Sequence, residues 1–448
     1  MFVTVAQFFI CEYMPSNVSF DLLLANPMSQ HHQILIIGAG TGGTMVAAQL
    51  KRQDRRLDIA ILEPSKDHWY QPAWTLVGAG TFSYEATRRN TADYIPRGVR
   101  WIQDYAEGFD PQNKRVRTRA SGDITYDYLV VAPGLQMDID ALPGLREGLA
   151  TPYVCSNYVD PRKTWEVIRN FKGGNAVFTQ PATPIKCGGA PQKIMYLAEE
   201  AFQKSGVRSK TEVVFATPGS VIFGVKEFAD TLMNVIYHKH IHLKTHYAPV
   251  KIDPERKEVH FKYIKPGENA CVINEDNRLG EQLEGDFTVI MPYDMLHLAP
   301  PQSAPDFIKH SPLAHAEGPN KGWMNVDIHS LQHLEYPEIF GIGDVAALPT
   351  AKTGAAIRKQ APVVVDNILH MIRHQGKSEK AYSGYSSCPL VTGYGKMVLA
   401  EFKYNNVRDS DPLLSRFVDT TKEQWSMWVL KKYGLPWLYW NQMMRGRM

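Results

Sequence analysis

Ile34-Leu35-Ile36-Ile37-Gly38-Ala39-Gly40-Thr41-Gly42-Gly43 is the stretch that decides the fold. It reads as a short buried strand, a glycine turn and the start of a helix, with Gly38, Gly40 and Gly43 clearing the backbone for a pyrophosphate at the helix N-terminus. Outward from it, Asp58 to Leu62 predicts the next strand, and Glu63 ends that strand about 20 residues past the last glycine, where an acid binds a ribose hydroxyl. Three glycines alone are weak evidence. Strand, turn, helix and acid in this order predict a dinucleotide site.

A second strand and turn, Ala176 to Gln180 and onward to Pro191, opens differently. Pro181, Pro184 and Cys187 stand where a second glycine cradle would be, and proline removes the N–H groups that a pyrophosphate needs. The chain therefore reads as binding a flavin but no pyridine nucleotide. Its electrons are expected from thiol or sulfur chemistry.

The 448 residues, 44% hydrophobic, are enough for a sizeable core divided among two or three domains. A net charge of +3 is too mild for nucleic acid binding. Five cysteines, Cys11, Cys155, Cys187, Cys271 and Cys388, are too sparse for a disulfide scaffold, so a disulfide here is expected to be catalytic. His238, His240, His242 and His246 read as a solvated edge, and no metal is assigned. The first Lys or Arg is Lys51, so the opening residues lack the positive segment of an export signal and read as a variable extension. No run approaches the ~20 apolar residues of a spanning helix.

The expected layout is an extension over 1–30, the first part of a flavin domain over 31–149, a second Rossmann-like domain carrying Cys187 over 150–300, the rest of the flavin domain over 301–382, and a C-terminal region over 383–448. Tyr126 to Gly134 predicts a strand and turn that bring Ala132 and Gly134 to the cofactor. Pro337 to Asp344 predicts a strand whose closing Gly343-Asp344 carries a carboxylate to the cofactor's sugar-like chain. The tail from Trp425 to Arg447 mixes tryptophan, tyrosine and basic residues, as suits the headgroup boundary of a bilayer.

With the first glycine loop, Phe340 to Asp344, Cys187 in Lys186-Cys187-Gly188-Gly189-Ala190-Pro191-Gln192-Lys193 and Cys388 in Ser387-Cys388-Pro389-Leu390-Val391-Thr392-Gly393-Tyr394, the chain after residue 31 resembles the sulfide:quinone oxidoreductases. The cysteine contexts are most similar to the branch that includes the mitochondrial enzymes. The resemblance implies an α/β fold: two Rossmann-like domains of the disulfide-reductase flavoprotein type plus a C-terminal amphipathic membrane-attaching region. It implies FAD as cofactor, sulfide and membrane quinone as substrates, and a sulfur acceptor such as sulfite, glutathione, coenzyme A or a polysulfide chain. A second copy of the chain and the surface of a respiratory inner membrane are the other expected partners, the protein being peripheral.

By family position Cys388 receives sulfide and carries the persulfide, while Cys187 leaves as the thiolate that attacks the flavin. Lys186, Lys193 and the following helix N-terminus are expected to lower the Cys187 pKa. Lys352 is expected at the flavin edge that becomes negative on reduction, Asp344 at the ribityl chain and Gln71 against the ring. Tyr385, Tyr394, Phe402 and the Trp437 to Trp440 cluster are candidates for the quinone slot. Cys155 reads as inert rather than as a sulfur shuttle. The competing readings are a type II NADH:quinone oxidoreductase, a flavin subunit that passes sulfide electrons to a cytochrome, and a non-catalytic membrane-bound sulfur carrier.

Overall fold

A computed structural model describes residues 30–448 apart from 266–275, 286, 375 and 377. Residues 1–29 of the expected extension, with Cys11, and also Cys271, lie outside the described residues.

The deciding stretch folds as its residues require. Strand β1 (Gln30–Ile37) ends in four buried residues, as a strand covered on both faces does. Helix α1 (Thr41–Gln53) follows the glycine turn. Gly38 has φ +96°, and a Cβ there would stand 2.5 Å from the Ala132 carbonyl oxygen; a Cβ at Gly43 would stand 1.9 Å from the Gly38 carbonyl oxygen. Only glycines let the turn fold back this tightly. β1 pairs in parallel with Ile59–Leu62 on one side and with β2 (Asp123–Val131) on the other. The far edge of β2 is shared: its start pairs antiparallel with Arg115–Thr118 and its end parallel with Ile339–Gly341, a strand some two hundred residues away in the chain.

Between those returns lies a second parallel sheet in the order Val154–Cys155, Met295–Leu298, β3 (Gly174–Thr179), Thr211–Thr217 and Ile241–Thr245. α2 (Ala190–Lys204) follows β3 and the loop bearing Cys187. Tyr247–Asp253, Glu258–Tyr263, Thr288–Pro292 and Gln282–Glu284 form an antiparallel sheet beside it. The sequence shows only the strand near Asp286 to Met291, because the others interleave charged and polar residues that blur the apolar pattern.

After β4 (Ile339–Gly341), α3 (Gly354–Ile372) returns against α1, and their apolar faces share one core with Tyr439, Trp440 and Met443 of the tail. The hairpin β5 (Ser386–Gly393) and β6 (Lys396–Lys403) packs instead on α2, in the core of the second unit. Among the described residues no helix is long and apolar enough to cross a membrane. The tail runs through Trp425–Val429, a π-helical turn at Leu430–Gly434 and α4 (Leu435–Asn441).

Substituting Gly43→Ala is expected to cost about 3 kcal/mol, because backbone rather than a flexible side chain blocks the added methyl. A lowered thermal midpoint of the purified variant, with less bound flavin, checks this.

Candidate active site

One large cavity, of about 430 Å³, runs from the glycine turn to the two cysteines. At its dinucleotide end Gly40 and Gly134 line the wall, and a Cβ on either would meet nothing within 4 Å. Glu63 holds both ends of that wall, accepting from the Ala39 amide at 2.9 Å through Oε2 and from the Ser65 amide at 2.7 Å through Oε1. Ala132, Gly343 and Asp344 also line it, whereas Gly43 packs beneath the turn and Gly42 takes the place expected of it on the wall.

The cysteines come together from distant parts of the chain. Cys388 enters on β5; Cys187 sits in the loop ahead of α2 with φ +52°, which costs a non-glycine residue about 1 kcal/mol. The Cys187 amide donates to the Lys352 carbonyl at 2.7 Å, and its own carbonyl accepts from the Ala190 amide at 2.7 Å. The Tyr158 hydroxyl reaches the Lys186 and Cys187 carbonyls at 3.2 and 3.4 Å. A Cβ at Gly189 would stand 2.6 Å from the Cys388 sulfur, so this glycine is what admits the second thiol. The two Sγ atoms are 3.9 Å apart, beyond the ~2.05 Å of a disulfide bond but in direct contact.

The charges around them are unequal. The Lys193 ammonium lies 3.0 Å from the Cys187 sulfur although its side chain is buried. The Cys388 thiol, then Lys193 and Lys431, hold the Cys187 thiol well below its ordinary value against the opposing pull of burial. Cys388, hydrogen-bonded to that sulfur and buried, is pushed well up. Lys431 was absent from the sequence expectations; it is buried, donates to the Pro72 carbonyl at 2.8 Å, and is brought down to about 7 by burial and by Lys193. Lys186 stands apart from the sulfurs, donating to Gln71 Oε1 at 2.5 Å.

Asp344 faces Lys186 and Lys352, and burial raises its pKa in spite of them. The Lys352 ammonium donates to the Ala346 carbonyl at 2.8 Å over the Trp323 ring, and burial lowers it to about 8. Its backbone carbonyl is therefore the part that reaches the thiol loop. α3 begins beside it with Thr353 accepting at its N-cap from the Ala356 amide, and Gly354 lines the cavity.

FAD fits these residues. Bare backbone at Gly40, an acid at Glu63 and the start of α3 meet one continuous space, and several cavity-lining polar atoms have no protein partner. Thr75 Oγ1, Trp74 Nε1 and both polar atoms of the Asn157 carboxamide are buried in this way. No sequence signal marked Asn157, Thr75 or Lys431, since each matters only through what the fold places opposite it. Phe402 and Tyr385 do not line the cavity: Phe402 packs edge-on against Phe223, and the Tyr385 hydroxyl donates to Glu401 at 2.5 Å. Tyr394, Trp437 and Trp440 lie outside it as well, leaving Leu438 and Tyr439 from that cluster, joined by Leu435. Cys155 is fully buried away from the cavity, and burial pushes its thiol up to about 12.

The family model of pyridine nucleotide-disulphide oxidoreductases matches residues 32–166. The mitochondrial sulfide:quinone oxidoreductase of Mus musculus is 42% identical over 419 residues, covering 93% of this chain and 87% of that protein. Its counterpart in Dictyostelium discoideum is 40% identical, covering 93% and 86%. The crystal structure of the sulfide:quinone oxidoreductase of Aquifex aeolicus superposes with a TM-score of 0.72 at 19% identity, covering 92% of each chain, a likeness of fold.

In the reduced protein Cys187 is expected to react with iodoacetamide at neutral pH and Cys388 to lag. Lys193→Met raises the Cys187 pKa, so the pH at which its alkylation reaches half its plateau moves upward and the plateau is still reached in alkaline buffer. The pH profile of alkylation, read by peptide mass, checks both.

Proposed function

This chain belongs to the sulfide:quinone oxidoreductase family and is a flavoprotein oxidoreductase of that kind, and we propose that Cys187 and Cys388 are its redox pair. The observation that carries this is the pair itself: two sulfurs 3.9 Å apart, one held toward thiolate by a buried lysine and the other held as thiol.

Hydrosulfide attacking the Cys187–Cys388 disulfide at Cys388 forms a persulfide there and expels Cys187 as thiolate, so charge and atoms balance. A leaving thiolate departs faster when its pKa is low, which is the state Lys193 and Lys431 impose on Cys187. Bound FAD would accept the two electrons that the cysteines give up and deliver them to quinone. The chain's part is to hold that cofactor with the glycine turn, Glu63 and Asp344, and to keep Cys187 charged with the buried Lys193 ammonium against its sulfur.

Lys193, enclosed rather than solvated, also offers the persulfide's attacker a positive charge; this favours a small anionic acceptor such as sulfite or a thiolate. For quinone, Leu435 and Leu438 supply apolar walls where the cavity meets the tail. Phe417, Trp425 and Trp437 stand 80%, 70% and 56% exposed, with Lys432 and Arg416 in the same region. Half-free aromatic rings among cations favour a peripheral seat on a bilayer surface, from which a quinone reaches that wall.

Cys187→Ser and Cys388→Ser are each expected to abolish sulfide-dependent quinone reduction while leaving flavin bound. Anaerobic bleaching of the flavin by sulfide, its recovery with a soluble quinone, and the absence of bleaching by NADH check the assignment; normal turnover by both variants would exclude it.

A further inference from the structure

The tail expected at the membrane ends inside the flavin unit. Trp437 of α4 faces outward, but Tyr439 and Trp440, two and three residues on, are buried with Met443 and Met444 in the core that α1 and α3 share. Tyr439 packs on Tyr70 with centroids 4.7 Å apart, and Trp440 on Tyr94 at 4.9 Å. Arg445 donates to the Asp93 carbonyl at 3.0 Å. Gly446, with φ +63°, lies so close to α1 that a Cβ would stand 2.7 Å from the Ala48 carbonyl carbon.

At the centre is a hydrogen-bond chain whose direction can be assigned. His68 Nδ1 lies 3.0 Å from the Ala39 carbonyl, which only accepts, so that nitrogen carries the proton. Burial brings His68 down to about 4 and keeps it neutral, leaving Nε2 as an acceptor. The Tyr439 hydroxyl, 2.5 Å from Nε2, therefore donates to it, and its oxygen accepts from the Thr41 hydroxyl at 2.8 Å. The chain runs from Thr41 through Tyr439 and His68 to Ala39. Both ends are in the glycine turn, on either side of Gly40.

We propose that residues 435–448 are a latch that retains the flavin, with Tyr439 as the positioning residue that holds the pyrophosphate turn in its binding shape. The proposal rests on FAD occupying the main cavity, which Tyr439, Met443 and Met448 themselves line. A dinucleotide bound at Gly40 is enclosed on that side by the tail. Removing the Tyr439 hydroxyl leaves the buried His68 Nε2 without its donor and the half-buried Thr41 Oγ1 without this acceptor, so the turn loses its brace while the ring packing stays.

The test uses the full-length holoprotein, diluted, with FAD release followed by the rise in flavin fluorescence. Tyr439→Phe is expected to release FAD about tenfold faster, the factor for one buried hydrogen bond, while its apoprotein melts with the wild type. A chain ending at Gly434 is expected to release faster still, and Trp437→Ser, on the outer face, at the wild-type rate. Wild-type retention by Tyr439→Phe, or a lowered melting point of its apoprotein without faster release, would overturn the latch; should the shortened chain fail to fold, Tyr439→Phe still decides. A wild-type chain that purifies without flavin would instead remove the cofactor reading beneath it.

Discussion

The hydrogen bond from the Cys187 amide to the Lys352 carbonyl ties the second unit to the flank of α3, and the meeting of the two cysteines depends on that tie. Lys186 and Lys352 are bridged in parallel at the same point, so two loop segments outside the sheets meet as if they were neighbouring strands. The left-handed backbone at Cys187 is tolerated because this bond, the Ala190 amide and the Tyr158 hydroxyl all hold the loop. Gly189 then leaves room for Cys388. With any side chain at 189, the hairpin could not bring its sulfur in.

Around that tie the protein buries more positive charge than is usual. Lys193 touches the Cys187 sulfur, and the attraction raises its pKa against the desolvation that would lower it. Lys431, bonded to a backbone carbonyl, is driven the other way, to about 7. The two lysines thus play different parts, one as the counterion of the thiolate and the other as a group poised between charged and neutral near physiological pH. Asp344, Lys186 and Lys352 form a separate set nearer the dinucleotide end, where burial works on all three.

The tail shows why a composition can point two ways at once. Tryptophan and tyrosine among basic residues describe a bilayer boundary, and Trp425, Tyr433 and Trp437 are exposed as that reading requires. Yet Tyr439 and Trp440 are core residues, because a helix turns each side chain ~100° from the last and so gives one short segment both an outer and an inner face. Phe402 and Tyr385 carry the same aromatic signal, yet one packs on Phe223 and the other donates to Glu401, away from the cavity wall. Periodicity could not rank them, since the partner face of each is supplied by distant chain.

Contiguous residues were enough to specify the glycine turn and its acid, the proline-broken second turn, the strands that flank them and the two cysteine contexts. Each follows from backbone sterics and hydrogen bonding within about 25 residues of chain, the length of one strand, turn, helix and strand. Only the folding of distant segments onto one another decided that Lys193 touches a sulfur while Lys186 turns to Gln71, that Lys431 joins them from the far end of the chain, and that Tyr439 braces the first glycine turn. Those contacts span up to 398 residues of sequence. Their energies arise from burial and from the atoms opposite, which no local pattern encodes.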